Sequence, residues 1–301
     1  MNDVLIIGGG IAGLTAAIYA LRAGKTVLVI EKATFGGQIT SSPRVDNYPG
    51  LPAVSGNALA DAMLGQVMDL GGEIEMEEIT GLRKTEHGFA VSTDKKEFEG
   101  RAVILATGAR HRTLNLEREE ALVGRGLSYC ALCDGAFHQG EDVAVIGGGN
   151  SAAQEVVFLA DICKSVTVIQ EFGHFTCNQR DYEAMMAKPN VRVMLSSKVT
   201  AFRGEDKVSG LAVQNQQTAA VAEVPVTGVF VSIGRVPDTE VFADAVACDE
   251  NGFFLTDENC AASLPGVWAV GDCRKKTIRQ LTTAAADGTI AAISACRYLD
   301  Q

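Results

Sequence analysis

The feature that most constrains this chain is a strand, glycine turn and helix that occur in that order twice. Val4 to Ile7 is an unbroken apolar run, Gly8-Gly9-Gly10-Ile11-Ala12-Gly13 follows it, Ile11 to Ala23 is alanine-rich and ends at Gly24, and Val27 to Ile30 is apolar again. A four-residue apolar run stopped by glycines is too short for a helix and suits a strand buried on both faces, whereas the alanine-rich stretch suits a helix. The order returns as Val143 to Ile146, Gly147-Gly148-Gly149-Asn150-Ser151-Ala152, a helix over about Ser151 to Lys164 and a strand at Val166 to Ile169.

Two such βαβ units in 301 residues predict an α/β fold of two Rossmann-like three-layer nucleotide-binding domains, because parallel strands need helical crossovers that cover the sheet. Between the units, Glu73 to Glu78 and Gly88 to Glu99 alternate apolar and polar residues, which predicts antiparallel strands of a small β-meander, followed by a buried run at Ala102 to Ala106. Near the end, Gly266 to Val270 reads as a strand and Thr282 to Tyr298 as a long helix.

Charge and cysteine usage narrow the function. A net charge of -11 and a pI near 4.9 repel phosphate backbones and anionic lipid, which excludes nucleic acid and membrane surfaces as expected partners. No apolar stretch approaches the ~18 residues of a membrane span, and Met1-Asn2-Asp3 before a run that glycines stop is no signal peptide, so a cytoplasmic protein is expected. Thiols are reduced there by default. Of eight cysteines, Cys163, Cys177, Cys248, Cys260, Cys273 and Cys296 are expected to be small buried hydrophobes.

The first turn is a G-x-G-x-x-G motif whose backbone N–H groups and helix N-terminus can face a pyrophosphate, and Glu31, about 20 residues on, can accept from a ribose. Together they form a dinucleotide fingerprint. The second turn is G-x-G-x-x-A and could hold another nucleotide through Gly147, Gly149, Asn150, Ser151 and Ala152; the alternative is a scaffold turn. After its strand stand Gln170 and Glu171, with no arginine cluster to receive a 2′-phosphate. Cys130-Ala131-Leu132-Cys133 has the spacing that lets two sulfurs approach bonding distance, and Asp134 offers a proton donor or acceptor beside them. Zinc would need more ligands than His138 or the separate His174 and Cys177 readily offer, so no metal is expected.

In this order, the two glycine motifs and Cys130-x-x-Cys133-Asp134-Gly135 resemble the low-molecular-weight thioredoxin reductases of the pyridine nucleotide-disulfide oxidoreductase superfamily. Gly36-Gly37-Gln38, Asn47-Tyr48-Pro49-Gly50, Ala106-Thr107-Gly108, Gly234-Arg235-Val236-Pro237-Asp238-Thr239, Gly271-Asp272 and Arg279-Gln280 agree, so the resemblance runs from about Asp3 to Leu299. It implies a discontinuous FAD domain of residues 1–112 and 241–301, with residues 113–240 inserted as an NAD(P)-binding-like domain that carries the redox pair. It adds Lys32, Gly37, Gln38, Asn47, Thr107, Gly108, Gly271, Asp272, Arg279, Gln280 and Leu281 to Gly8, Gly10, Ile11, Ala12, Gly13 and Glu31 as FAD contacts. Asp272 is placed near the ribityl and pyrophosphate, and Gln38, Asn47 and Gln280 near the isoalloxazine.

The resemblance further implies that Cys133 lies against the flavin, Cys130 attacks a thioredoxin-like protein, Asp134 protonates the departing thiolate, and one domain swings between half-reactions. A homodimer is the family expectation. Competing readings are a flavin-dependent dithiol oxidase or reductase of another redox protein, and a flavin- or zinc-binding scaffold without catalysis. For the electron donor, Glu171 disfavours NADPH, because a carboxylate repels a 2′-phosphate that arginines would attract. NADH, its 2′-hydroxyl accepted by Glu171, and reduced ferredoxin remain; Arg274, Lys275, Lys276 and Arg279 offer a basic patch for acidic ferredoxin.

Overall fold

The computed structural model describes residues 1–42 and 44–301 and divides into two compact units, Met1–Arg110 with Val236–Gln301, and His111–Arg235. The sequence reading changes units a few residues later, after 112 and 240. The two crossing segments, Ala109–His111 and Arg235–Pro237, pair as a two-stranded sheet.

The first unit is built on a sheet whose parallel part runs Glu73–Met76, Val27–Glu31, Asn2–Ile7, Glu97–Leu105 and Val267–Ala269. Within its central strands the stretches 4–7, 27–30 and 102–105 are apolar at every position because both faces are covered there. Val4, Ile6, Val29 and Ile104 pack on one side with helices Ile11–Arg22, Gly56–Asp69 and Leu281–Leu299. Leu5, Ile7, Leu28 and Ile30 pack on the other with Phe89, Phe242 and Phe254. The first and last of these helices approach so closely that a Cβ on Gly288 would lie 2.3 Å from Ala12 O.

Two expectations need correction here. Glu73–Met76 is not antiparallel: it pairs in parallel with Val27–Glu31, as the outer strand after the Gly56–Asp69 crossover helix. Alternation reports one solvated face, which an edge strand of a parallel sheet also has, and says nothing of direction. Gly88 to Glu99 is also not one strand. A turn in which Thr93 N–H donates to Lys96 O (2.9 Å) divides it into Phe89–Ser92 and Glu97–Leu105, and the latter continues through the expected run at Ala102 into the parallel sheet. The antiparallel meander is therefore Gly81–Lys84, Phe89–Ser92 and the start of Glu97–Leu105.

The second unit repeats the plan with a five-stranded parallel sheet in the order Val191–Met194, Ser165–Ile169, Asp142–Ile146, Gly228–Val231, Leu127–Ser128. A three-stranded antiparallel sheet, Ser197–Arg203, Gly210–Asn215 and Val221–Val224, covers part of its core. Helix Asn150–Ile162 packs on the opposite face through Ala152, Val156 and Leu159. The cysteine pair follows the edge strand Leu127–Ser128 directly, on the one-turn helix Ala131–Asp134. Among the described residues no helix is long and apolar enough to cross a membrane.

Candidate functional site

In the first glycine turn, Gly8, Gly9 and Gly13 answer to the protein, Gly9 because an added Cβ would lie 2.5 Å from the Phe35 ring, and Gly10 does not. Gly8 has φ +107° and an added Cβ would lie 2.3 Å from Ala106 O; a Cβ on Gly13 would lie 1.9 Å from Gly8 O. Gly10 has φ −76°, open to any residue, and no atom nearer an added Cβ than Gly36 O at 3.8 Å. Nothing in the fold demands glycine at position 10, so its bare face is space for a ligand, and the turn fits the close approach of a pyrophosphate. Ile11 and Ala12 are buried in the helix that begins here.

Glu31, only 9% exposed, ends the next strand and is clamped by two backbone donors, Gly9 N–H to Oε2 (2.7 Å) and Ala33 N–H to Oε1 (2.9 Å). A carboxylate accepts more than two hydrogen bonds, so its orientation is set while lone pairs remain for a ribose. A pocket opens beside it, lined by Gly8, Lys32, Ile79, Thr107 and Asp238 among others, with the Lys32 ammonium paired to Asp238.

The remaining positions assigned to FAD belong to the same unit. Gly37 lies 3.4 Å beyond Gly10 Cα as measured from an added Cβ, and Gln38 donates to Ala109 O. Gly108 has φ +73° and its carbonyl accepts from Asp238 N–H. Asn47 Nδ2 donates to Gln280 Oε1 (3.3 Å), and Gln280 forms a capping box with Thr283 at the start of Leu281–Leu299. Arg279 lies over the Phe253 ring at 4.3 Å, with Nε donating to Asp272 O.

A residue that sequence reasoning missed organises this end. Asp287, 6% exposed, accepts from Gly271 N–H (3.0 Å), Arg274 Nη1 (2.8 Å) and Lys276 Nζ (2.8 Å). A buried carboxylate without cations would be costly, so it draws both side chains inward. This corrects the expected basic patch: Arg274, Lys276 and Arg279 are partly buried and engaged within the unit, and Lys275 alone of the four is exposed. A run of basic residues from 274 to 279 ahead of a helix carries no signal for which charge will be recruited inside.

The second glycine turn matches the first in backbone register. Gly147 N–H donates to Ile169 O as Gly8 N–H does to Ile30 O, so Gln170, not Glu171, occupies the place that Glu31 holds in the first unit. Gln170 is buried under Gly148, whose added Cβ would lie 2.4 Å from Nε2, and its amide is spent internally: Nε2 donates to His174 O and Oε1 accepts from Glu171 N–H. Glu171 stands one residue further on, exposed, accepting from Gln216 Nε2 (3.2 Å). Asn150 Oδ1 accepts from Asn178 N–H (2.7 Å), Gly149 has φ −86°, Ser151 is exposed and Ala152 is buried.

Cys130 and Cys133 are joined as a disulfide, with their Cα atoms 5.3 Å apart. Cys130 caps the short helix, and Cys133 N–H donates to its Sγ (3.2 Å). Ser128 links the strand to this helix: its hydroxyl accepts from Cys130 N–H (3.0 Å) and donates to Asp134 Oδ2 (2.5 Å). Burial raises the Asp134 carboxyl above its ordinary range despite that hydrogen bond. The preceding Tyr129 stacks on His111 at 4.9 Å and donates to the buried Glu119 (2.9 Å). Burial lowers His111 to about 4 and raises Tyr129, so this support is neutral at its ring positions near pH 7. Of the other cysteines, Cys163, Cys260, Cys273 and Cys296 are buried, while Cys177 and Cys248 are half-buried. Burial raises all six thiols, Cys163 and Cys260 to about 11, which makes them poor nucleophiles.

Comparison with known proteins agrees with this arrangement. The family described as pyridine nucleotide-disulphide oxidoreductase matches residues 2–288. A thioredoxin reductase of Treponema pallidum is 38% identical over 299 residues, spanning 99% of this chain and 97% of that protein. The 34.2 kDa protein in the rubredoxin operon of Clostridium pasteurianum is 39% identical over 298 residues, spanning 99% and 97%. The crystal structure of thioredoxin reductase from Streptococcus pyogenes MGAS5005 superposes with a TM-score of 0.95 at 36% identity, covering 100% of this chain and 98% of that one.

Proposed function

The chain belongs to the pyridine nucleotide-disulphide oxidoreductase family, and from that premise we propose that it reduces a thioredoxin-like protein through Cys130 and Cys133, with NADPH a poor electron donor. It is a flavin-dependent disulfide oxidoreductase. FAD, when bound, supplies the reducing electron pair. The Gly8–Gly13 turn and Glu31 would hold its nucleotide end, and Asn47, Asp272 and Gln280 its flavin end.

The observation that carries the reading is the bonded pair with Asp134 beside it, a half-buried carboxyl that burial raises above its ordinary value. With the pair reduced, Cys130 as thiolate attacks one sulfur of the partner's disulfide. A mixed disulfide forms, and the partner's other sulfur leaves as a thiolate that takes a proton from Asp134. Cys133 then attacks Cys130 Sγ, the Cys130–Cys133 bond re-forms, and the partner departs with both electrons. Exposed Leu132, between the two cysteines, and Phe137, four residues after Cys133, give an apolar landing for such a protein.

The donor reading rests on residues 170 to 178, where no arginine occurs. A 2′-phosphate there would meet the Glu171 carboxylate and find no fixed cation. Gln170 in the Glu31 place leaves the NADH ribose to Glu171, so NADH and a one-electron carrier such as ferredoxin are the donors we favour, the latter without support from a basic patch at Arg274. Anaerobic titration of the flavin absorbance with NADPH, NADH and reduced ferredoxin, followed by oxidised thioredoxin, tests both parts. Rapid stoichiometric bleaching by NADPH would overturn the donor reading; a reduced enzyme that transfers no electrons to thioredoxin would overturn the partner.

A further inference from the structure

Helix Asn150–Ile162 packs against the short helix that carries the cysteine pair. Glu155 stands at that contact. Its carboxyl accepts from Ala131 N–H, in the peptide that joins Cys130 to the rest of its turn, and from the Ser232 hydroxyl, while Oε2 is buried with no hydrogen-bond partner among the described residues. A carboxyl placed under a redox turn with one oxygen unmatched costs free energy when ionised, and nothing in the fold of this unit requires it to be an acid.

We propose that Glu155 is the positioning residue of the Cys130–Cys133 turn and that it takes up a proton when the pair is reduced. Reduction breaks the S–S bond with two electrons, which the flavin-dependent activity supplies. One sulfur becomes the Cys130 thiolate, and the other, with one proton, the Cys133 thiol. The new negative charge, one residue from the peptide that Glu155 holds, opposes an ionised carboxylate, so a second proton goes to Glu155. Reoxidation returns it. Burial already raises Glu155 to about 7, in the range where such a proton can be exchanged near neutral pH. The other charged and titratable groups around the turn are Asp134 on the cysteine helix, His138 close to Asp134, and Arg235 beyond Ser232; Arg235 is the weakest influence on Glu155 and opposes its protonation.

The inference rests on Cys130–Cys133 as the working pair. Its test is the rate of Cys130 alkylation by iodoacetamide in dithiothreitol-reduced, flavin-loaded enzyme, followed by mass spectrometry across pH. The wild type should show two inflections, one for the thiol and one near neutrality, because ionised Glu155 holds back the thiolate. Glu155→Gln should lose the inflection near neutrality and react about tenfold faster at about pH 8, the effect of removing one nearby charge at a partly buried site. Asp134→Asn should keep that inflection, and Ser232→Ala, which removes a hydrogen bond to the carboxylate, should move it upward. A two-step profile in Glu155→Gln, or its loss in Asp134→Asn alone, would overturn the proposal, as would an unmoved inflection in Ser232→Ala if Glu155→Gln fails to fold. A wild type whose Cys130 does not react at any pH would instead sink the assignment of the pair.

Discussion

Replacing Gly10 and Gly13 by alanine, one at a time, should separate the space the ligand needs from the space the protein needs. At Gly10 the backbone is at φ −76° and an added Cβ meets nothing closer than 3.8 Å. The flavin-free protein should lose no more than about 1 kcal/mol, the usual difference between glycine and alanine at a helix N-cap. At Gly13 the added Cβ would lie 1.9 Å from Gly8 O and 3.2 Å from Ala106 Cβ, so the helix must move away from the strand. Overpacking costs about 1–3 kcal/mol, and contact with backbone, which has no rotamer to turn, belongs at or above the top of that range. The order reverses for the ligand in Gly10→Ala, whose stable protein should bind FAD poorly. Loss of one or two charge-assisted N–H bonds, each worth about 1.5–3 kcal/mol, weakens binding at least tenfold and up to a thousandfold or more. Thermal unfolding of the stripped proteins and FAD rebinding by fluorescence quenching measure the two effects. Wild-type FAD affinity in Gly10→Ala, or equal destabilisation of the two stripped variants, would refute the reasoning.

Two further outcomes are expected. Cys133→Ser should stop exchange at the mixed disulfide, so that Cys130 accumulates bound to thioredoxin on non-reducing gels; sustained turnover in this variant would remove Cys133 as the resolving thiol. Asp287→Asn should leave Arg274 and Lys276 facing a neutral amide, cost about 3 kcal/mol and lower Tm by roughly 6–12 °C. An unchanged melting temperature would show that Asp287 does not hold the Gly271 turn.

Much of this molecule was legible in its residues because the decisive signals are local. The apolar run at Val4, the glycine turn and the alanine-rich helix lie within one βαβ unit, and each constrains its neighbour in the chain through backbone conformation alone; the helices expected from Ile11, Ser151 and Thr282 form as Ile11–Arg22, Asn150–Ile162 and Leu281–Leu299. The cysteine pair is equally local, since two residues between sulfurs set their reach. Strand direction was not legible at Glu73, where alternation records a solvated face and the crossover helix sets the direction.

The sequence by itself determined the two nucleotide-binding-type units, the glycine face at position 10 and the Cys130–Cys133 bond. Only the tertiary structure decided that Gln170 occupies the place of Glu31, that Asp287 draws Arg274 and Lys276 inward, and that Glu155 lies beneath the cysteine turn. The reason is physical: a glycine's φ or a disulfide's span is a property of a few adjacent residues, whereas the partner of a buried charge is whichever group the packing of distant segments brings to it, and its burial cost exists only once water has been excluded.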